Sequence, residues 1–148
     1  MRVVIEGRDL PGAEFCDADG SRLGEVHVGI QIRRDPCDLV RGDAESARWE
    51  LDVSVVAGDD GDVDFRGPAV QGRRGDRFLY LTWGSVDGDG AFDMFRRAKL
   101  MLSRIDPELV LAAESGGRPL VARVVLTDEY GGPRCARVDP PALEWSLG

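Results

Sequence analysis

The stretch SVDGDGAFDMFRRAKLML, which begins at Ser85, carries the acidic residues that a calcium loop requires. An EF-hand-type loop has oxygen ligands at alternate early positions, a glycine at its turn and a bidentate glutamate at its last position. Asp87, Asp89 and Gly90 fit this pattern, whereas Arg96 occupies the position of the glutamate. A positive charge at the main anchor opposes calcium binding. We therefore interpret the segment as a turn whose aspartates cap a following helix.

Only four side chains could serve as soft metal ligands. They are Cys16, His27, Cys37 and Cys135. Structural zinc sites place their ligands in closely spaced pairs, and this sequence contains no such pair. We therefore predict no metal and no cofactor. Three cysteines, an odd and sparse set, form no disulfide framework, which predicts a reduced, cytoplasmic protein.

His27 is the only histidine, so any acid–base chemistry that needs an imidazole must use it. It lies on the polar side of a predicted strand, near Glu25 and Gln31. The sequence contains neither a Gly-x-Ser-x-Gly elbow nor a catalytic-cysteine signature. The sequence therefore favours binding over catalysis. An enzyme that combines His27 with a neighbouring carboxylate and arginine remains the alternative.

Aromatic residues at strand ends suggest a ligand platform, although core packing is their usual role. If such a tryptophan lined the mouth of a sandwich or barrel, polar residues beside it would complete a pocket. The candidate binding residues are His27, Gln31, Arg48, Arg77 and Trp83. Arg77 belongs to the stretch GRRGDRF, which we interpret as a basic turn entering a strand.

Alternation of apolar and polar residues predicts most of the secondary structure. EVHVGIQIR and RWELDVSV alternate strictly, which is typical of strands with one buried and one wetter face. RFLYLTW is apolar on both sides and predicts a central strand, and PLVARVVL is similar. RVVIE and ALEW predict shorter strands near the ends. The stretches AGDDGD and DEYGGP are typical of hairpin loops.

Two adjacent helices are predicted. The stretch FDMFRRAKLMLSRI places its apolar residues on one helical stripe. Asp106, Pro107 and Glu108 then provide a cap, a first-turn proline and a first-turn acid for a short helix that ends at Gly116 and Gly117. We predict an α+β fold, mainly β, over residues 1–148 as a single domain. Its architecture would be an antiparallel sheet sandwich or partly open barrel packed against these helices.

Composition limits the classes of partner. The chain has 148 residues, 43% hydrophobic residues and a net charge of −8, which is the composition of an acidic globular protein. The negative field opposes broad contact with nucleic acid. No apolar run is long enough to cross a membrane, and charges near the start oppose a signal peptide. We expect neither nucleic acid nor membrane as a partner.

Four blocks of sequence carry a resemblance to a known family. They are HVGIQIRRD, ARWELDV, FRGPAVQGRRGDRFLYLTWG and FRRAKLML. Together they resemble a family of small bacterial proteins described only as a domain of unknown function, and GDRFLYLTWG is the most specific part. The resemblance covers almost the whole chain and implies a stand-alone cytoplasmic domain. It implies no activity, cofactor or catalytic residue.

These observations leave three hypotheses for function. The leading one is a small cytoplasmic binding domain for a small molecule or a protein partner. The alternative is the enzyme built around His27. In the third, a polar strand face or an edge strand forms a homodimer interface.

Overall fold

The computed structural model describes residues 1–8, 25–32, 39–41, 48–86, 92–125, 136–138, 140 and 142–148. The predicted hairpin loop DEYGGP and the three cysteines lie outside these residues. So do Asp87, Asp89 and Gly90 of the candidate calcium-binding stretch.

The described chain forms eleven strands and one helix. In chain order they are β1 (Arg2–Arg8), β2 (Glu25–Gln31), β3 (Leu39–Arg41), β4 (Arg48–Asp52), β5 (Ser54–Ala57), β6 (Val63–Arg66), β7 (Phe78–Val86), β8 (Phe92–Met101), α1 (Pro107–Gly116), β9 (Leu120–Val125), β10 (Ala136–Val138) and β11 (Ala142–Leu147). Strands dominate, so the predicted α+β, mainly β class is confirmed.

The strands form two larger sheets and one hairpin. The four-stranded sheet has the order β11-β9-β1-β4, the five-stranded sheet has the order β10-β8-β7-β2-β3, and β5 pairs with β6. Pairing is antiparallel except between β1 and β9 and between β8 and β10. Strand β7 lies at the centre of its sheet, as its apolar sequence predicts. Among the described strands neither sheet closes on itself, so the sandwich describes the fold better than a barrel.

One cluster of buried side chains lies between the two larger sheets. Val3 and Ile5 of β1 contribute from the four-stranded sheet, and Leu79 and Leu81 of β7 contribute from the five-stranded sheet. Trp49 of β4 is 1% exposed and belongs to the same cluster. Because side chains alternate between the two faces of a strand, each sheet keeps a second face outside this core.

The predicted helix in FDMFRRAKLMLSRI is wrong. Residues Phe92–Met101 of this stretch form β8, which pairs antiparallel with β7 from Val86↔Phe92 to Phe78↔Met101, with a register shift between Trp83 and Gly84. Ala98, Leu100 and Leu102 are buried at alternate positions. Pairing with a long central strand outweighs the helix-forming tendency of the methionines, leucines and arginines here. The segment that was predicted as the helix following Asp87 and Asp89 is therefore a strand.

The second predicted helix is confirmed, together with its capping residues. Asp106 Oδ1 accepts a hydrogen bond from the Glu108 amide at 3.0 Å, and Pro107 begins α1. Gly117 ends the helix with a φ of 61°, a left-handed conformation that glycine adopts without strain. Val110 and Ala113 pack into the core.

Replacing Asp106 by alanine is expected to lower the free energy of unfolding by about 1 kcal/mol, since the Glu108 amide loses its acceptor. Asp106→Asn should retain most of the stability, because asparagine also caps helices well. Urea unfolding of both variants measures the difference. If the asparagine variant loses as much stability as the alanine variant, the cap does not account for the effect.

Candidate functional site

The outer face of the five-stranded sheet carries two aromatic and two cationic side chains in adjacent rows. Phe78 and Tyr80 alternate with the buried leucines of β7, and Arg97 and Lys99 alternate with the buried residues of β8. The register places Tyr80 opposite Lys99 and Thr82 opposite Arg97. We call the four residues Phe78, Tyr80, Arg97 and Lys99 the cation–aromatic face. All four are half-buried.

Each cation of this face lies over an aromatic ring. Arg97 Cζ lies 4.5 Å from the centroid of the Tyr80 ring, and Lys99 Nζ lies 4.1 Å from that of Phe78. The two rings meet edge to face, with centroids 4.8 Å apart. Cation–π contacts at this range stabilise the charge and limit the orientations of the side chain. Lys99 also has a weak ion pair with Asp76, at 3.8 Å.

Buried polar side chains adjoin the cation–aromatic face. Thr82 is 0% exposed and donates its hydroxyl proton to the Gly29 carbonyl oxygen at 3.2 Å. Gln31 is 3% exposed, and the pairing of β2 with β7 places it beside Tyr80. Arg97 Nε is buried and has no hydrogen-bond acceptor among the described residues. A buried donor without an acceptor costs about 1–3 kcal/mol, so this nitrogen is suited to binding an incoming anionic oxygen.

A second cluster surrounds Asp64 on β6. Asp64 is 4% exposed, and both of its oxygens accept hydrogen bonds from Arg77, at 2.9 Å from Nε and 3.3 Å from Nη2. Arg66 Nε lies 3.4 Å from the same carboxylate. Hydrogen bonds from Arg77 hold the pKa of Asp64 below its ordinary value although burial acts in the opposite direction. The carboxylate is therefore ionised at neutral pH. It accepts hydrogen bonds from two nitrogens of the Arg77 guanidinium, which are then engaged within the protein.

A cleft of about 230 Å³ lies beside this cluster. Two acids, Asp59 and Asp64, and two arginines, Arg66 and Arg74, line it together with residues 56–58. Arg74 also lies 3.7 Å from Asp62. Charges of both signs therefore largely satisfy one another here, and we interpret the cluster as structural.

The outer face of the four-stranded sheet carries several ion pairs between side chains. Arg48 contacts Glu6 at 2.9 Å and Glu50 at 3.0 Å, and Arg123 contacts Glu6 at 3.4 Å. Arg48 is exposed, as are Glu50 and Arg123. Ion pairs in solvent contribute little to stability, about 0–1 kcal/mol each. Because these charges already have partners, the face offers no concentrated charge to a ligand.

The structure does not bring all the predicted binding residues together. Gln31 adjoins the cation–aromatic face, whereas Arg48 lies on the other sheet and Arg77 is paired with Asp64. His27 and Trp83 lie on the adjacent strands β2 and β7, where the backbone of His27 is opposite Gly84. Their side chains lie outside the described part of the molecule.

Tyr80, Arg97 and Lys99 were missed at the sequence level. A helix would have placed Arg97 and Lys99 on an open solvent face, whereas β8 places them over the rings of β7. The signal that could have identified them is the alternation of Arg97, Lys99 and Met101 with buried Ala98, Leu100 and Leu102.

Among the described residues, no group of three or more histidine, cysteine, aspartate or glutamate side chains could hold a metal ion. The candidate calcium position Arg96 lies in strand β8, so the segment lacks the second helix of an EF-hand. Within the same part of the chain, no helix is long and apolar enough to cross a membrane.

Comparison with known proteins identifies the family. Searches of curated proteins and of solved structures found no match. A family model described as a family of unknown function, DUF5990, matches residues 1–148, the full length given. The predicted resemblance to a family of unknown function is confirmed by this match. The chain belongs to the DUF5990 family.

Proposed function

We propose that this protein is a binding domain whose ligand is a small anionic molecule held at the cation–aromatic face. The observation that carries the proposal is Arg97 Nε, a buried donor without an acceptor in the described structure. A carboxylate or phosphate oxygen at hydrogen-bond distance would satisfy it. Arginine suits this role because its guanidinium presents several donors in one plane.

The neighbours of Arg97 support an anionic ligand. Contact with Tyr80 limits the orientations of the guanidinium, so less side-chain entropy is lost on binding. Lys99 provides a second positive charge across the strand from Tyr80. Thr82 lies opposite Arg97 on the neighbouring strand and contributes a buried polar side chain next to the cation–aromatic face.

The charge of the whole chain limits how such a ligand binds. A net charge of −8 repels anions at long range. Recognition must therefore come from short-range hydrogen bonds and from the two local cations. Added salt should weaken binding only modestly, because screening reduces the long-range repulsion as well as the local attraction.

We also propose that residues 1–148 fold as one domain in a bacterial cytoplasm. The cluster of buried residues to which both large sheets contribute supports one domain. The sparse cysteines support a reducing compartment.

Native mass spectrometry of freshly purified protein tests the ligand proposal. We expect the wild-type protein to carry a small-molecule adduct that Arg97→Gln loses and that the matched control Arg104→Gln retains. Arg104 is exposed and lies outside the cation–aromatic face. Arg97→Lys keeps the charge without the guanidinium and should reduce the adduct. An adduct that survives in Arg97→Gln at the wild-type level would contradict this site.

A further inference from the structure

Strand β11 is the longest strand at a sheet edge. It has 6 residues and lies at one end of the four-stranded sheet. The other described edge strands are β4 with 5 residues, β5 and β6 of the two-stranded sheet with 4 each, and β3 and β10 with 3 each. Strand β4 has β3 close beside it. In the described part of the chain, β11 pairs only with β9.

The hydrogen bonding of β11 shows which backbone groups face outward. The Gly148 amide donates to the Pro119 carbonyl at 2.9 Å, so Gly148 and the residues at even spacing from it bond toward β9. Leu143, Trp145 and Leu147 occupy the alternate positions. Their N–H and C=O groups therefore point away from the sheet and can pair with another strand.

The side chains of the same three residues are apolar. Leu143, Trp145 and Leu147 pack against the core but are only half-buried. Edge strands that must stay unpaired usually carry lysine, proline or a bulge. The only charged residue within β11 is Glu144. Apart from Glu144, the strand therefore lacks the features that usually prevent edge-to-edge pairing.

We propose that β11 pairs antiparallel with β11 of a second copy of this chain, with Trp145 opposite the partner's Trp145. In this register Leu143 lies opposite the partner's Leu147, so every outward backbone group of the three apolar residues finds an acceptor or donor. The two four-stranded sheets become one continuous sheet, and the apolar row extends across the two-fold axis.

Charge distinguishes this register from its neighbour. A shift that centres the pair on Glu144 would place the two Glu144 carboxylates opposite each other, which is destabilising. In the proposed register Glu144 lies opposite the partner's Ser146. Arg123 Nη1 donates to Ser146 of its own chain at 3.0 Å, so it lies within reach of the incoming glutamate. The charges of one copy thus complement those of the other.

Sedimentation velocity over a wide range of protein concentration tests the pairing. The wild-type protein is expected to show a reversible monomer–dimer equilibrium. Ser146→Glu places a carboxylate opposite the partner's Glu144 at two symmetric positions, which should weaken dimerisation about tenfold. The added carboxylate also faces Arg123 of its own chain, so the monomer should stay folded.

Two further variants separate this interface from others. Ser54→Glu adds the same charge at an exposed position of β5 and should leave the equilibrium unchanged. Glu144→Lys combined with Ser146→Glu places opposite charges across the pair and should restore dimerisation. A wild-type protein that stays monomeric at every soluble concentration would overturn the proposal. Equal effects of Ser146→Glu and Ser54→Glu would overturn it as well.

Discussion

Gly72→Ala is expected to lower the free energy of unfolding by about 3 kcal/mol. Gly72 has a φ of +81°, where an L-residue is strained. A Cβ atom there would overlap the Asp76 carbonyl oxygen and lie 2.9 Å from Phe78 Cε1. The turn cannot yield easily, because Gln71 and Phe78 exchange two backbone hydrogen bonds, at 2.9 and 3.2 Å.

Gly75→Ala is the matched control for this prediction. Gly75 has a φ of +83°, but a Cβ atom there would meet no atom within 4 Å. Its cost should therefore be the backbone strain alone, about 1 kcal/mol. Urea unfolding of both variants measures the contrast. Equal destabilisation would mean that the overlap with Asp76 and Phe78 is relieved by a small movement of the turn.

Asp64→Asn is expected to cost about 3 kcal/mol at neutral pH, because it breaks a buried ion pair and leaves Arg77 without its counter-charge. The Asp64 side chain is 5% exposed and that of Arg77 is 21% exposed, so water replaces the lost interaction poorly. Asp62→Asn makes the same chemical change in an exposed pair with Arg74 and should cost less than about 0.5 kcal/mol. Chemical unfolding of the two variants makes the comparison.

The pH dependence provides a second measurement of the same pair. The pKa of Asp64 is lowered in the folded protein, so its stabilising contribution is fully present above the ordinary value of 3.8. It is lost as the pH falls from there through the lower folded pKa. The difference in stability between wild type and Asp64→Asn should therefore shrink below this pH. A difference that stays constant down to strongly acidic pH would contradict the ionised pair.

Strict alternation of apolar and polar residues predicts strand positions and their buried faces correctly in this protein. In RWELDVSV, Trp49 and Leu51 are buried while Arg48, Glu50 and Asp52 are exposed, as the period predicts. The ends of α1 can likewise be predicted from nearby residues alone. Asp106, Pro107 and Gly117 each act within one helical turn of a helix end.

Strand β8 shows where such reasoning fails. Its residues include good helix formers, and their apolar positions fit a helical stripe as well as an alternating one. Whether the segment forms a helix or a strand depends on β7, which supplies backbone partners along β8 except at the register shift between Trp83 and Gly84. Pairing between strands is a long-range property, and a single segment does not reveal it.

The candidate site could be predicted only in part for the same reason. Gln31 was identified because it lies on the polar side of an alternating strand. Contact between Arg97 and Tyr80 needs the β7–β8 register, and the pair of Asp64 with Arg77 needs the turn between β6 and β7. The sequence pattern shows neither register nor turn geometry.

The Nε–Hε resonance of Arg97 in proton–nitrogen correlation spectra tests the central claim most directly. Because this nitrogen is buried, its proton should exchange slowly with water and give an observable signal in the free protein. Titration with acetate or inorganic phosphate should shift this signal in a saturable way, while the backbone amide signal of exposed Arg104 stays in place. If neither anion shifts the Arg97 signal more than that of Arg104, the cation–aromatic face is not an anion-binding site.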